Sequence, residues 1–428
     1  MMSIILAIIF GGTIIIGVPI GFSIGITALV GVMLLDAPMQ LAILKYFSGL
    51  DMFSFMAIPF FILAGELMNI AGITRVLVDF ADLLVGRFRG GMAHIVIVAS
   101  MIFASITGSA TSAASTLGTT MIPEMKKKGY DIDFSAGVIA SASVLGPIIP
   151  PSILMIIVGS ITGISVGALF VSGFIPGLIF GFGLMIMAWI IARKKMYPRR
   201  EEHFQWKEVV IRGLSAIPAF FMPVIILGGV FSGVFSVTEA SSVAVGYAFF
   251  YGMVRRPRAF LRDIYGALSR SVNVSVMILT VIGCAGMISW VLAADMIAQR
   301  IADSFLEISR NPYIFLILIN IFYLIVGCLM EPGAAILITV PLLFPLAEAV
   351  GVHPLHFGLV VVLNMCIGFI TPPVGLCLYV LCGITKLPLE RVSRAVLPFL
   401  FVEIAALGLI TYVPYLALVL PRAVGLIK

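Results

Sequence analysis

Long apolar runs separated by short polar stretches constrain this chain more than any other feature. They fall at about 3–18, 20–35, 52–72, 92–107, 113–122, 136–165, 166–192, 213–232, 236–254, 271–292, 312–330, 336–347, 355–386 and 395–421. A helix needs about 20 apolar residues to cross a bilayer, and several runs reach that length. Membrane β-strands give short alternating segments instead. Hydrophobic residues make up 61% of the sequence and charged residues 11%, against about a quarter charged in soluble domains. A water-facing fold cannot hide that much apolar surface. Soluble enzymes, nucleic-acid binders and disulfide scaffolds are excluded, and the fold class is an all-α polytopic membrane protein.

The net charge of +6 is not a nucleic-acid footprint, because the basic residues sit in short connections. Seven of the 26 lie between Arg193 and Arg212, and five more between Arg255 and Arg270. Under the positive-inside rule both clusters read as cytoplasmic loops. Cys284, Cys328, Cys366, Cys377 and Cys382 lie inside apolar runs with no C-x-x-C spacing, so they read as small buried hydrophobes. The four histidines have no metal-ligand spacing. The first 35 residues lack a basic n-region and a small-residue cleavage site, and read as mature membrane structure.

An internal repeat organises the chain. Pro150 and Pro151 recur at Pro372 and Pro373, an offset of 222 that also links Pro123 to Pro345, Gly129 to Gly351, Gly146 to Gly368 and Pro176 to Pro398. Equivalent polar stretches differ in charge. Lys126, Lys127 and Lys128 follow Pro123, whereas the segment after Pro345 has no Lys or Arg. The amphipathic stretch 73–91 carries Arg75, Arg87 and Arg89 against Asp79 and Asp82; its counterpart 293–311 carries Asp295, Asp303 and Glu307 against Arg300 and Arg310. Equivalent parts facing opposite sides form an inverted-topology repeat.

The expected organisation is N-terminal helices at 1–51 and a first repeat at 52–192, with a surface arm, a re-entrant hairpin at 92–125 and a broken helix at 136–165. A cytoplasmic loop and further helices occupy 193–270, and the second repeat fills 271–421, with an arm, a hairpin at 312–347 and a broken helix at 355–386. Ten crossings and two hairpins result, with both termini outside; 3–35 is one tilted span or two, and symmetry with 213–254 favours two.

Four segments put irregular backbone inside the membrane, where it is tolerated only against protein or water. The hairpin tips are Ser105-Ile-Thr-Gly-Ser-Ala-Thr-Ser112 and Met330-Glu-Pro-Gly-Ala-Ala335; the helix breaks are Leu145-Gly-Pro-Ile-Ile-Pro-Pro-Ser152 and Gly368-Phe-Ile-Thr-Pro-Pro-Val-Gly375. Proline frees a carbonyl one turn back. Freed carbonyls with Ser and Thr hydroxyls suit a hard cation such as Na⁺, and half-helix N-termini direct partial positive charge at a carboxylate. Glu331 is an intramembrane acid at the second tip, with a role in substrate binding or gating, or as a helix cap. Glu66 reads as structural, Glu239 as a helix start, Thr339 and Asn364 as packing, and Glu403 as ambiguous.

These motifs resemble the large membrane subunit (DctM-like, or M subunit) of a tripartite ATP-independent periplasmic (TRAP) transporter. The resemblance is carried by Pro59-Phe-Phe-Ile-Leu-Ala-Gly-Glu66, Thr107-Gly-Ser-Ala-Thr-Ser112, Gly146-Pro-Ile-Ile-Pro-Pro-Ser152, Thr238-Glu-Ala240 and Gly368-Phe-Ile-Thr-Pro-Pro-Val-Gly375. It implies an elevator-type fold in which a transport domain holding both hairpins moves against scaffold helices at 1–51 and 193–270. It implies Na⁺-driven symport of an organic acid across the bacterial inner membrane: a C4-dicarboxylate, sugar acid or sialate. It also implies two partners, a small four-helix membrane subunit on a separate chain and a periplasmic binding protein. Carried over by position, the first Na⁺ site takes in Ser105, Gly108, Ser109, Ser112, Gly146 and Pro150, and the second Gly327, Gly368, Thr371 and Val374. Substrate falls to Glu331, Gly333, Ser152 and Thr107. The family often carries Asp where this chain has the longer Glu331.

A stand-alone carboxylate or cation transporter of related fold is the alternative, which co-purification of a small subunit distinguishes. A membrane-embedded enzyme needs a paired Asp cluster, an H-E-x-x-H or a G-x-S-x-G with a partner His. The first two do not occur, and Gly21-Phe-Ser-Ile-Gly25 and Gly163-Ile-Ser-Val-Gly167 match the third pattern with no histidine near them in sequence. Nor does a P-loop occur, as fits ATP independence.

Overall fold

The computed structural model describes residues 2–197, 206–296 and 311–427. Among them every regular element is helical. In chain order these are α1 (Met2–Ile15), α2 (Ile20–Leu34), α3 (Gln40–Leu50), α4 (Ala57–Ile70), α5 (Ile73–Val85), α6 (Gly91–Thr107) and α7 (Ala110–Lys127). Then come α8 (Ile132–Ser143), α9 (Ile153–Thr162), α10 (Val166–Lys194), α11 (Trp206–Phe231), α12 (Val237–Arg255) and α13 (Pro257–Ala294). The remainder are α14 (Pro312–Leu329), α15 (Pro332–Ala349), α16 (Pro354–Gly368), α17 (Leu376–Thr385), α18 (Leu389–Tyr412) and α19 (Tyr415–Ala423).

Boundaries follow local chemistry. Ser236 and Glu239 form a reciprocal capping box at the start of α12, so Glu239 is the helix start its position predicts. Proline opens α13, α14, α15 and α16, where its missing N–H costs no intrahelical bond. Among the described residues, seven helical segments are long and apolar enough to cross a membrane. Phe182, Ile186, Phe401 and Ile325 point outward from such helices, as lipid contact requires. Residues 3–35 form two helices, α1 and α2.

The 222-residue offset is visible in the helices. Shifted by it, α7 falls on α15 residue for residue, and α6, α8, α9 and α10 fall on α14, α16, α17 and α18 within a few residues. The repeats exchange partners: α7 of the first packs on α17 of the second, and α15 of the second packs on α9 of the first. In the same way α4 packs on α12, and its counterpart, the C-terminal half of α13, packs on α2. The fold is thus two inverted repeats, each with a helical hairpin and a broken helix. The halves of the first broken helix, α8 and α9, are about 18 and 15 Å long by helix rise. Each is too short for a hydrocarbon core of about 30 Å, and the two together span it.

Polar side chains tie these helices. Ser100 Oγ on α6 donates to the carbonyl of Ala142 on α8 at 2.6 Å. Asn364 Nδ2 on α16 donates to Asn320 Oδ1 on α14 at 2.7 Å, and Asn320 Nδ2 donates to Thr411 Oγ1 on α18 at 3.1 Å. Thr339 Oγ1 donates to Tyr323 Oη at 2.9 Å, joining the two helices of the second hairpin. Thr339 and Asn364 are therefore packing residues, as read from sequence. At the foot of α8, outside the apolar runs, Asp131 Oδ2 accepts from Lys195 Nζ at 2.6 Å and from Tyr197 Oη at 2.8 Å. Those donors hold the Asp131 carboxyl below its ordinary range. Burial, reinforced by that bond, pushes the Tyr197 phenol up.

Two expectations need correction. Residues 255–270 are not a loop: the chain turns at Arg256 and continues as the 38-residue helix α13, because charged residues spaced along its first turns do not interrupt backbone hydrogen bonding. Helix α3, between the N-terminal pair and α4, has no counterpart in the expected organisation. The second arm at 293–311 lies mostly outside the described residues, as does the middle of the basic stretch 193–212. The first arm is α5, which buries Ile73, Val76, Leu77, Ala81 and Val85 and exposes Arg75 and Asp79.

Candidate functional site

Each hairpin tip is built by a helix that must stop and restart. In the first, α6 ends at Gly108 with φ +59°, a left-handed conformation that glycine adopts without a Cβ penalty. A Cβ there would also lie 2.6 Å from the carbonyl oxygen of Pro151. Ser109 restarts the chain as the N-cap of α7, its Oγ accepting from the Ser112 N–H at 3.4 Å and paired with Thr111 Oγ1 at 3.2 Å. In the second hairpin Glu331 occupies the equivalent position. Its Oε2 accepts from the Ala334 N–H at 2.7 Å, capping α15. The two caps, Ser109 and Glu331, are related by the repeat offset.

The tips meet the breaks. At the first break a Cβ on Gly146 would stand 3.0 Å from the Ser109 backbone. At the second, the Val374 N–H donates to the Cys328 carbonyl at 3.1 Å. There a Cβ on Gly368 would stand 2.7 Å from the Gly327 carbonyl oxygen, so only glycine permits this backbone approach. Both Pro-Pro bonds, Pro150–Pro151 and Pro372–Pro373, are cis. The carbonyls of Gly146, Pro150, Thr371 and Val374 accept no backbone hydrogen bond from the described residues. A carbonyl left unpaired has an unused acceptor; Gly146 and Pro150 are buried, Thr371 and Val374 half-buried. The hydroxyls are more committed: Ser105 Oγ donates to Ile102 O at 2.6 Å and Thr371 Oγ1 to Ile367 O at 2.8 Å. Each keeps a lone pair for a cation.

A cavity of about 510 Å³ opens between the first tip, the second tip, the first break and the faces of α4 and α13. Thr107, Gly108, Ser109 and Ser112 line it from one tip and Glu331 from the other. Ser152 and Gly333 do not line it. Ser152 is buried, its Oγ donating to Pro147 O at 2.6 Å and accepting from the Met155 N–H at 3.3 Å, so it serves as the N-cap of α9. Gly333 is buried against the Glu331 carboxylate. Ser105, Gly146, Pro150, Gly327, Gly368, Thr371 and Val374 lie outside the lining, and the second break reaches it only through Phe369. The structure thus separates tip-and-break contacts from a substrate-sized space beside them.

Sequence reasoning missed Arg270. It lines the cavity from α13 and its Nε donates to Glu66 Oε2, on α4, at 2.9 Å. Glu66 is also a lining residue, next to Gly65, which packs on Thr107. These partners are 204 residues apart, and no sequence spacing reports such a pair. Glu66 therefore has an electrostatic role as well as the structural one read from sequence. Glu403, on α18, is fully buried, with no hydrogen-bond partner for either carboxylate oxygen among the described residues.

Residues 7–416 match the family model described as "Tripartite ATP-independent periplasmic transporter, DctM component". The chain belongs to the DctM family. It is 38% identical over 420 residues to the sialic acid TRAP transporter large permease SiaM of Vibrio cholerae, covering 97% of each chain. It is 38% identical to the C4-dicarboxylate large permease DctM of Pseudomonas aeruginosa, covering 94% of this chain and 95% of that one. It is 34% identical to the isethionate permease DctMQ of Oleidesulfovibrio alaskensis, covering 94% of this chain and 63% of that one. Among solved structures, the YdaH transporter of Alcanivorax borkumensis aligns with a TM-score of 0.57 at 11% identity, covering 86% of each chain. That likeness is one of fold. As a DctM-family large permease the chain is a membrane transporter component and not an enzyme.

Proposed function

We propose that this large permease carries an organic anion inward across the bacterial inner membrane, driven by a Na⁺ gradient and without ATP. The observation that carries the reading is the meeting of each hairpin tip with its own helix break, where unpaired carbonyls gather beside one cavity that carries Glu66, Arg270, Glu331 and tip hydroxyls in a mostly apolar lining. Gly146 and Pro150 with the tip from Ser105 to Ser112 form the first cation site, and Gly327, Gly368, Thr371 and Val374 the second. Carbonyl and hydroxyl oxygens suit a hard monovalent cation and add no charge of their own.

Electrostatics favours coupling. Glu66, Glu331 and Arg270 give the cavity lining a formal charge of −1. An anion entering it meets repulsion of about 3 kcal/mol from a net negative unit about 5 Å away, at an effective dielectric near 20. A cation bound beside the cavity offsets that term, so anion and cation bind better together than apart. The similar permeases carry names specifying sialic acid, C4-dicarboxylates and isethionate, all organic anions. The substrate here belongs to that class, delivered by a periplasmic binding protein. Helices α1 to α3, α11, α12 and the start of α13 up to residue 270 serve as scaffold with a small four-helix subunit, while the hairpins and broken helices move as the elevator.

Melting temperature in NaCl against KCl at equal ionic strength tests the reading. A ligand bound only by the folded state at 100 times its dissociation constant adds about 2.7 kcal/mol of stability. A Na⁺-specific rise is expected, reduced in Thr371→Ala, which removes one oxygen. Identical melting in both salts would sink the proposal.

A further inference from the structure

The base lining the cavity has a geometry that a structural ion pair alone does not need. Arg270 projects from α13 with 55% of its side chain exposed, while Glu66, its partner, is 19% exposed. Only Nε is committed, to Glu66 Oε2 at 2.9 Å. The two Nη groups have no hydrogen-bonding acceptor among the described residues, so one edge of the planar fork is open. Space for the guanidinium is provided one turn earlier on the same helix: a Cβ at Gly266 would approach Nη1 to 3.3 Å. Across the cavity stand the hydroxyl-bearing tip residues Thr107, Ser109 and Ser112.

We infer that Arg270 is the anion receptor of the cavity, taking a carboxylate or sulfonate group on its Nη edge, and that Glu66 is a positioning residue holding the guanidinium through Nε. This inference rests on reading the cavity as an organic-anion site. A guanidinium presents parallel N–H donors that match two oxygens of one acid group, which a lysine ammonium cannot do. A carboxylate on Nε orders the fork before substrate arrives, so less side-chain freedom is lost on binding. Carboxylate and sulfonate both offer two oxygens at this spacing, so one receptor serves either acid.

The pair joins α4 to the N-terminal part of α13, ahead of the half that the repeat offset pairs with α4. Arg270 lines the cavity from α13 and the tip residues line it from α6, α7 and α15, so an anion held on Arg270 bridges α13 and a tip. Bridging requires both surfaces to be close, so substrate affinity depends on their separation as well as on Arg270. Glu66 lies beside this contact, because its neighbour Gly65 sits against Thr107 with no room to spare, a Cβ there standing 3.3 Å from the Thr107 Cα.

The test uses the full chain in lipid nanodiscs. Melting is followed first on adding NaCl, then on adding sodium N-acetylneuraminate, sodium succinate or sodium isethionate at matched sodium concentration. At least one anion is expected to raise the melting temperature of the wild type beyond the sodium effect. Arg270→Gln should keep the sodium response and weaken anion affinity roughly ten- to a hundredfold. Arg270→Lys, which keeps the charge opposite Glu66 and so guards against misfolding, should still lose most of the affinity. Glu66→Gln should lose less. The inference is overturned if no anion shifts the wild type, if the anion response survives in Arg270→Gln, or if Arg270→Lys is indistinguishable from wild type. A missing sodium response in the wild type overturns instead the cation-coupled reading, so the two failures are separable.

Discussion

Replacing Gly368 with alanine places a new methyl group 2.7 Å from the carbonyl oxygen of Gly327 and 2.8 Å from its carbonyl carbon and Cα. All three atoms are backbone, so no side chain can swing away. The hairpin helix α14 and the broken helix α16 must separate by several tenths of an ångström. Overpacking of this kind costs about 1–3 kcal/mol. The displaced groups belong to the proposed second Na⁺ site, so the cost falls on the ion-bound form, which needs these oxygens at fixed spacing. At about 1.4 kcal/mol per decade, the sodium concentration for half-maximal uptake or stabilisation rises roughly 5- to 150-fold. Gly383→Ala is the control. No atom lies within 4 Å of its new Cβ, and alanine favours the helix of α17 by about 1 kcal/mol. Sodium titration of melting temperature, with uptake into proteoliposomes, reads both variants. If Gly368→Ala keeps the wild-type sodium dependence, no ion binds between α14 and the second break.

Other perturbations test other links. Gly108→Ala combines a left-handed residue, costing about 1–2 kcal/mol, with a Cβ that would lie 2.6 Å from the Pro151 carbonyl oxygen; thermal unfolding should show a larger loss than Gly383→Ala, along with a weaker sodium response. Asn364→Ala leaves Asn320 Oδ1, which is half-buried, without its 2.7 Å partner, at a cost of about 1 kcal/mol; an unchanged melting temperature would refute that network's role. Asp131 has a depressed carboxyl value, held down first by its bond from Lys195. Its stabilisation is complete above the ordinary value of 3.8 and is lost as pH falls below that through the folded-state value. The group is largely exposed, so the loss is at most about 1 kcal/mol. Asp131→Asn should therefore melt slightly earlier than wild type at pH 7, the gap narrowing as pH falls below 3.8; a gap unchanged by acidification through and well below 3.8 refutes the linkage.

Much of the fold is legible because its cause is local. The pairing of Pro150-Pro151 with Pro372-Pro373, and of Gly146 with Gly368, marks two breaks in equivalent places, since these residues interrupt a helix wherever they stand. Ser109 and Glu331 likewise announce helix starts. Residues 255–270 show the opposite case. Their charge suggested a loop, but α13 runs through them, because helical backbone bonding is indifferent to arginine when the side chains have somewhere to go. Side-chain roles were less legible. Ser152 was grouped with the substrate residues, yet its hydroxyl turns inward to cap α9. Glu66 reads as structural from its neighbours in sequence, but its partner, 204 residues away, makes it part of the cavity.

The sequence by itself determined that the chain crosses a membrane, that it is doubled and inverted, and where its helices break. Each of these follows from hydropathy, charge bias or backbone stereochemistry, properties a residue carries with it. Only the tertiary structure decided which tip touches which break, that Arg270 and Glu66 meet, and that both hairpin caps line one cavity. The tip–break contacts close within each repeat, whereas the Arg270–Glu66 pair and the shared cavity depend on the two inverted repeats exchanging partners across their interface. Contacts of that kind join residues hundreds of positions apart, and no local property of either residue encodes the other.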